Sequence, residues 1–246
     1  MFSKVQLIYA DLPYHFNSKH FQDGGRKFKE ISYVTMKQKD MEAIKIKKII
    51  ADDSVCFIWT PESRVKDAMN VMEAWGFRFI KIAFYWEKTT VLGNTYYNFS
   101  PTTLCSMECI IYGTRGKVSK YKQCNNVKDK LDDVRTIHSR KPKEARDRID
   151  KLFGKLNKVE LFATEDIDGW KSWGYDIDGK SVENHIDELL KNDINVENTV
   201  KPVIKNKVCS NCGYSTDKND EFELHLTRPF HLNSLPITVT TKGNRE

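Results

Sequence analysis

No apolar run in the 246 residues approaches the ~18 positions that a membrane-spanning helix needs. Met1–Lys4 lacks the basic opening and apolar stretch of a secretion signal. Both absences predict a protein of the reducing cytoplasm or nucleus, with no membrane partner. No G-x-G-x-x-G follows an apolar run, which argues against a nicotinamide enzyme. There is no internal repeat and no low-complexity tract. Disulfide patterning is missing too. Of the six cysteines, Cys56, Cys105 and Cys109 lie in or beside apolar runs and read as small buried hydrophobes, while Cys124 sits in a polar stretch. Only Cys209 and Cys212 form a spaced pair, which without a secretion signal suggests a metal. A strong charge imbalance is also lacking: the net charge of +6 favours a polyanionic partner only mildly.

The sequence does contain five short apolar runs rich in β-branched and aromatic residues: Val5–Ala10, Ser54–Trp59, Phe79–Trp86, Glu108–Gly113 and Lys158–Ala163. Runs this short and continuous suit strands buried on both faces of a parallel sheet. Helical patterns separate them. Thr35 and Gln38 have the spacing of a capping box ahead of Met41, Ile44, Ile49 and Ile50. Pro61 precedes Val65, Met69 and Met72, with Gly76 placed to end that helix. Pro142 precedes Ala145, Ile149 and Leu152, with Gly154 after them. Strands alternating with helices predict a doubly wound α/β sheet. Two polar segments, His15–Val34 and Lys88–Thr103, break the rhythm and read either as walls of a ligand site or as long surface loops. An amphipathic helix is expected over Ser181–Asn192, followed by a polar linker to Asn206.

Asp11-Leu12-Pro13-Tyr14 closes the first apolar run. An acid, a rigidifying proline and an aromatic at a strand end suit a planar amine such as adenine N6, whose lone pair is delocalised into its ring. The Asp11 carboxylate and the Leu12 carbonyl would each accept an N6–H bond and so expose that lone pair. Pro13 would fix the chain direction, and Tyr14 would offer a face for the base. Alone, the tetrapeptide also reads as an ordinary turn after a strand.

Further segments strengthen the first reading. LIYADLPYHF resembles the opening strand and D-P-P-W/Y motif of the MT-A70 methyltransferases. SYVTM (Ser32–Met36) is similar to their H-Y-x-T-M stretch, SVCFIWT (Ser54–Thr60) to the second strand, and EAWGF (Glu73–Phe77) to the W-G-F turn. ECIIYGTRGK (Glu108–Lys117) resembles E-x-x-x-x-G-x-R-G-K, and HSRKP (His138–Pro142) resembles H-S-x-K-P. VELFATEDIDGWKSWGYDI (Val159–Ile177) resembles E-L-F-A-R…G-W…W-G-N-E. The segments occur in the family's order across residues 5–178.

The resemblance implies a Rossmann-like class I methyltransferase sheet with permuted motif order, using S-adenosylmethionine. It implies that Asp11, Leu12, Pro13 and Tyr14 grip the amine. Asp11, Lys141, Phe162, Thr164 and Asp176 would contact the cofactor, with Lys141 meeting its carboxylate and Asp176 its ribose. Tyr14, Tyr33, His138 and Arg140 would contact the substrate. Leu12 stands in place of a proline, Thr164 in place of a common arginine, and Tyr175 in place of an asparagine. The implied activity is methylation of N6 of adenine in DNA. Alternatives are RNA as substrate, or an inactive nucleic-acid-binding subunit. A homodimer, or a heterodimer with a related subunit, fits either.

Basic residues outnumber acidic ones between Arg115 and Lys151, including Lys117, Lys120, Lys122, Arg140, Lys143 and Arg146; the stretch reads equally as a phosphate-facing surface or a solvated face. Near the C-terminus, Cys209-x2-Cys212-x12-His225-x5-His231 has the ligand spacing of a structural Zn²⁺ finger, with Phe222 placed for its small core. The expected division is therefore a catalytic domain at 1–180, helix and linker at 181–205, a zinc module at 206–235 and a tail at 236–246.

Overall fold

The computed structural model describes residues 4–15, 35–100, 102–132, 134, 140–199, 207–208 and 215–216. These fall into two compact units, residues 2–191 and the remainder. Tyr33, His138 and the four expected zinc ligands lie outside the described residues.

The first unit is a mixed α/β structure. Its strands are β1 (Val5–Asp11), β2 (Ile50–Pro61), β3 (Arg78–Glu87), the two-residue pair β4 (Asn98–Phe99) and β5 (Leu104–Cys105), β6 (Met107–Arg115), β7 (Lys130–Leu131), β8 (Lys158–Leu161) and β9 (Lys171–Trp173). Seven of them form one sheet in the order β7-β3-β6-β2-β1-β8-β9. The helices are α1 (Gln38–Ala43), α2 (Val65–Ala74), α3 (Lys143–Phe153), α4 (Tyr175–Asp178) and α5 (Val182–Thr199). None of the described helices is long and apolar enough to cross a membrane.

Alternation along β1 sets the layers. Leu7 and Tyr9 face one side, where Phe57, Trp59, Ile149, Phe153 and Trp170 pack. Ile8 and Ala10 face the other, with Ile58, Val71, Met72, Trp75 and Ile186. Both sets are almost fully buried, so the run has no polar period to show. Cys56 and Cys109 are buried in these layers, as small hydrophobes would be.

The sheet departs from the all-parallel expectation. β1 is parallel to β2 and β8, and β8 to β9, but β6 is antiparallel to both β2 and β3. The reason is connectivity. Among the described residues between β3 and β6 there is no helix, and without a crossover the returning strand runs antiparallel. α2 supplies the crossover from β2 to β3, which are mutually parallel with β6 lodged between them.

Helix boundaries also differ in places. The Thr35–Gln38 capping box does not form: the Thr35 hydroxyl is 3.0 Å from His15 Nδ1, and α1 begins at Gln38 without a side-chain cap. Pro61 ends β2, and a 3-10 turn at Glu62–Arg64 intervenes before α2. Gly76 ends α2 in a left-handed conformation (φ +92°), with its N–H donating to Glu73 O and the Phe77 N–H to Met72 O. Pro142 and Gly154 bracket α3 as expected. α5 runs past Asn192 to Thr199, because no residue before Pro202 interrupts it.

Candidate active site

In an open α/β sheet a crevice opens where successive connections leave in opposite directions. β1 is that point. Its chain neighbour β2 lies on one side, and β8, which continues outward to β9, lies on the other. The carboxyl ends of β1 and β8 bound a cleft lined by Tyr9, Asp11, Arg140, Lys141, Arg146, Glu160, Phe162, Thr164 and Glu165. Two ends of the domain thus meet over one strand pair.

Asp11 is the last residue of β1, in register with Trp59 of β2. Its Oδ2 lies 2.8 Å from Lys141 Nζ, which also lies 3.4 Å from Glu108 Oε2 and 5.7 Å from the centre of the Trp59 ring. Lys88 pairs with the other oxygen of Glu108. The result is an alternating row, Asp11, Lys141, Glu108 and Lys88, drawn from four separate segments. Burial pushes the Asp11 carboxyl above its usual range, although Lys141 opposes the shift. Burial also acts to raise Glu108, but Lys141 and Lys88 outweigh it and hold that carboxyl low. For Lys141, burial favours the neutral amine, yet Asp11 and Glu108 overcome it and keep the ammonium charged.

A second buried network backs the cleft. Arg146 Nε and Nη2 donate to Glu160 Oε2 and Oε1 at 2.7 and 2.6 Å, a bidentate fork. Its guanidinium lies 5.5 Å from the centre of the Tyr9 ring, and the Tyr9 hydroxyl accepts from Trp59 Nε1. Burial raises both the Tyr9 hydroxyl and the Glu160 carboxyl. Glu165 stands at the rim, with Oε2 3.0 Å from Arg140 Nη2 and Oε1 3.7 Å from Arg146 Nη1.

The turn after Asp11 is tight. The Tyr14 N–H donates to Leu12 O at 2.9 Å across Pro13, and Pro13 O accepts from the Met36 N–H at 2.7 Å. The Leu12 carbonyl is thus already an acceptor and keeps one lone pair for a ligand. Tyr14 is buried. Its hydroxyl donates to Thr60 Oγ1 at 3.3 Å, and the Arg64 guanidinium lies 5.3 Å from its ring centre. Arg64 is in turn pinned by Asp67 and by the His15 carbonyl.

At the end of β8, Phe162 adopts a left-handed backbone (φ +60°), the one such non-glycine residue among those described. A conformation of this kind costs about 1–2 kcal/mol and persists where surrounding structure imposes it. Here the Ala163 N–H donates to Trp173 O at 3.0 Å, and Gly174 lies so close to Ala163 that a Cβ there would come within 2.3 Å of its carbonyl oxygen.

The structure therefore brings Asp11, Arg140, Lys141, Phe162 and Thr164 together in one cleft, with the Leu12–Tyr14 turn directly after Asp11. It does not bring Asp176 there: this residue is exposed on α4 and is not part of the cleft lining. Arg146 lies within the basic stretch along the chain, but it is buried and not part of a surface. Lys120 of the same stretch pairs with Asp53, while Lys117, Lys122 and Lys143 are exposed. Sequence reasoning missed the roles of Glu108, Lys88, Glu160 and Tyr9 in the ion networks. One signal was present: Arg146 shares the i, i+3, i+7 stripe of α3 with Ile149 and Phe153, an odd place for a solvated charge. Among the described residues no cluster of three or more His, Cys, Asp or Glu is arranged for a metal.

Two comparisons with known proteins agree with this architecture. The sequence pattern of the MT-A70 family matches residues 5–176, which span β1 to α4. The chain is also 31% identical over 194 residues to the Type II methyltransferase M.MunI of Mycoplasma sp, covering 73% of this chain and 81% of that protein. With Asp11, the Lys141 row and the β8 turn all inside the matched region, the chain belongs to the MT-A70 family.

Proposed function

We propose that the protein transfers a methyl group from S-adenosylmethionine to N6 of adenine in DNA. The observation that carries this reading is Asp11, a carboxylate fixed by Lys141 at the switch point of the sheet. The cleft fits the cofactor's charge pattern. It offers acids to the ammonium and sulfonium and bases to the carboxylate, and a buried arginine nitrogen there, Arg146 Nη1, makes no hydrogen bond among the described residues. Lys141, Arg146, Phe162 and Thr164 are the residues that would hold it. When bound, the cofactor supplies an electrophilic methyl group.

The protein's own part is to prepare the amine. Lys141 engages Asp11 Oδ2, leaving Oδ1 to accept one N6–H bond. The free lone pair of the Leu12 carbonyl accepts the second. Two acceptors draw the nitrogen away from planarity and favour the positive charge that develops on it. The raised proton affinity of Asp11 then suits it to receive the proton that N6 sheds after transfer. A base must leave its stack to reach Asp11. The exposed lysines of the basic stretch are the proposed contacts to the nucleic-acid backbone.

DNA is placed ahead of RNA because of the similarity to a Type II methyltransferase. Transfer of labelled methyl groups to matched DNA and RNA oligonucleotides, with mass spectrometry of the digested products, tests both points. N6-methyladenine in DNA is the expected result. Faster transfer to RNA would reverse the choice of polymer, and a product at another position would remove the role given to Asp11.

A further inference from the structure

Lys141 has two of its three N–H donors directed at Asp11 and Glu108. An anionic group entering the cleft finds one remaining Lys141 donor, and satisfying both oxygens of a carboxylate calls on a further cation. Thr164, at the end of β8, is too short and uncharged to provide one. Two further cations line the cleft: Arg140, exposed at the rim and paired with Glu165, and Arg146, which is buried and is the better placed. Arg146 reaches the cleft from α3 rather than from the β8 turn, and the fork to Glu160 fixes the plane of its guanidinium. Its Nη1 is buried, belongs to a residue of the cleft lining and makes no hydrogen bond among the described residues. A buried guanidinium nitrogen without an acceptor is costly, and native structures rarely leave one so without a reason. Glu165 Oε1 lies 3.7 Å away, beyond hydrogen-bond range, and Glu165 is itself partly exposed and shared with Arg140.

On the reading that the cleft binds S-adenosylmethionine, we propose that Arg146 binds the carboxylate of the cofactor's amino-acid end through Nη1, in the direction Glu165 now occupies loosely. Glu160 then acts as a positioning residue that holds the guanidinium in place.

The test compares two ligands by calorimetry on the full chain. S-adenosylhomocysteine carries the carboxylate; 5′-methylthioadenosine keeps the nucleoside and sulfur but lacks it. Arg146→Gln should weaken S-adenosylhomocysteine binding by roughly 30-fold or more, the loss typical of truncating one partner of a buried charged pair, and change methylthioadenosine binding by less than about threefold. Because Arg146→Gln strands Glu160, the double variant Arg146→Gln/Glu160→Gln, which removes both charges, is measured alongside and should show the same selective loss. Equal weakening of both ligands, or none, in whichever variant folds would overturn the assignment. If the unaltered protein binds neither ligand, the methyltransferase reading itself fails, and the assignment with it.

Discussion

At the scale of single residues, the cleft is governed by how carboxylates and ammonium groups share burial. Asp11 and Lys141 are coupled, so removing Asp11 changes more than one hydrogen bond. Asp11→Asn keeps the shape and one acceptor oxygen but loses the charge that orients Lys141. We expect methyl transfer to fall by about 10²–10³, with cofactor affinity changed by only a few-fold; calorimetry beside single-turnover rates separates the two. Parallel loss of binding would place Asp11 on the cofactor instead. Glu108 offers a pH test. Its carboxyl is held below its ordinary value near 4.5, so its contribution to stability is fully present above that value and is lost as pH falls through the lower, folded value. Asp11 acts in the opposite direction. Its raised pKa means that stability declines as pH rises from the ordinary value near 3.8 to the folded one. Glu108→Gln should therefore cost about 3 kcal/mol at neutral pH, as expected for breaking a buried ion pair. In urea unfolding the gap from the unaltered protein should narrow as pH falls below about 4.5. A gap independent of pH would mean that packing, not charge, is what Glu108 provides.

At the scale of elements, the interlocked turns after β8 and β9 explain a glycine. Gly174 has an extended backbone, so its requirement is space and not conformation: an added Cβ would lie 2.3 Å from Ala163 O and 2.7 Å from Ala163 N. Gly174→Ala should push Ala163 away, carrying Phe162 and Thr164 with it. A stability loss of about 2 kcal/mol and at least a tenfold loss of cofactor affinity are expected. Gly179→Ala is the control. It has open space but a φ of +75°, so it should cost about 1 kcal/mol and leave the cofactor alone. Equal effects of the two on affinity would show that the turns do not shape the cleft. The same elements show what the sequence could reveal. β1 and β8 were legible because continuous apolar runs suit strands buried on both faces, and α3 because Pro142 and Gly154 mark its ends. The direction of β6 was not legible, since Glu108–Gly113 reads the same in either orientation and only the helix-free path from β3 decides it. The Thr35 cap failed because a competing partner, His15, lay far away in sequence. Arg146 is deceptive because a count of charges along the chain ignores which helix face each one occupies. Asp11 and Lys141 each stand out as site residues, but their pairing depends on a fold that joins the two ends of the domain.

At the scale of the whole molecule, every residue of the cleft lies within the unit of residues 2–191. The chain beyond α5 has a different chemistry. Its described backbone is a short antiparallel strand pair, β10 (Lys207–Val208) with β11 (Ser215–Thr216), in which Lys207 pairs with Thr216 and Val208 with Ser215. Along the sequence, Cys209 and Cys212 lie between these two strands. We propose that they bind Zn²⁺ together with His225 and His231. A segment of about 30 residues buries too little apolar surface to fold unaided, so metal binding and folding should be one event. The peptide 205–235 should take up one Zn²⁺ and gain a folded circular-dichroism signature only with it, and a chelator should reverse both. The chain ended after Thr199 should still bind S-adenosylhomocysteine with unchanged affinity. Its loss should fall on nucleic-acid affinity, because removing one of two tethered binding modules lowers effective concentration and not turnover at saturating substrate. If Cys209→Ser instead abolishes turnover at saturating DNA, the zinc module belongs to the catalytic assembly. If affinity and turnover are both unchanged, the module serves a protein partner, and nucleic-acid binding rests on the lysines of the catalytic unit alone.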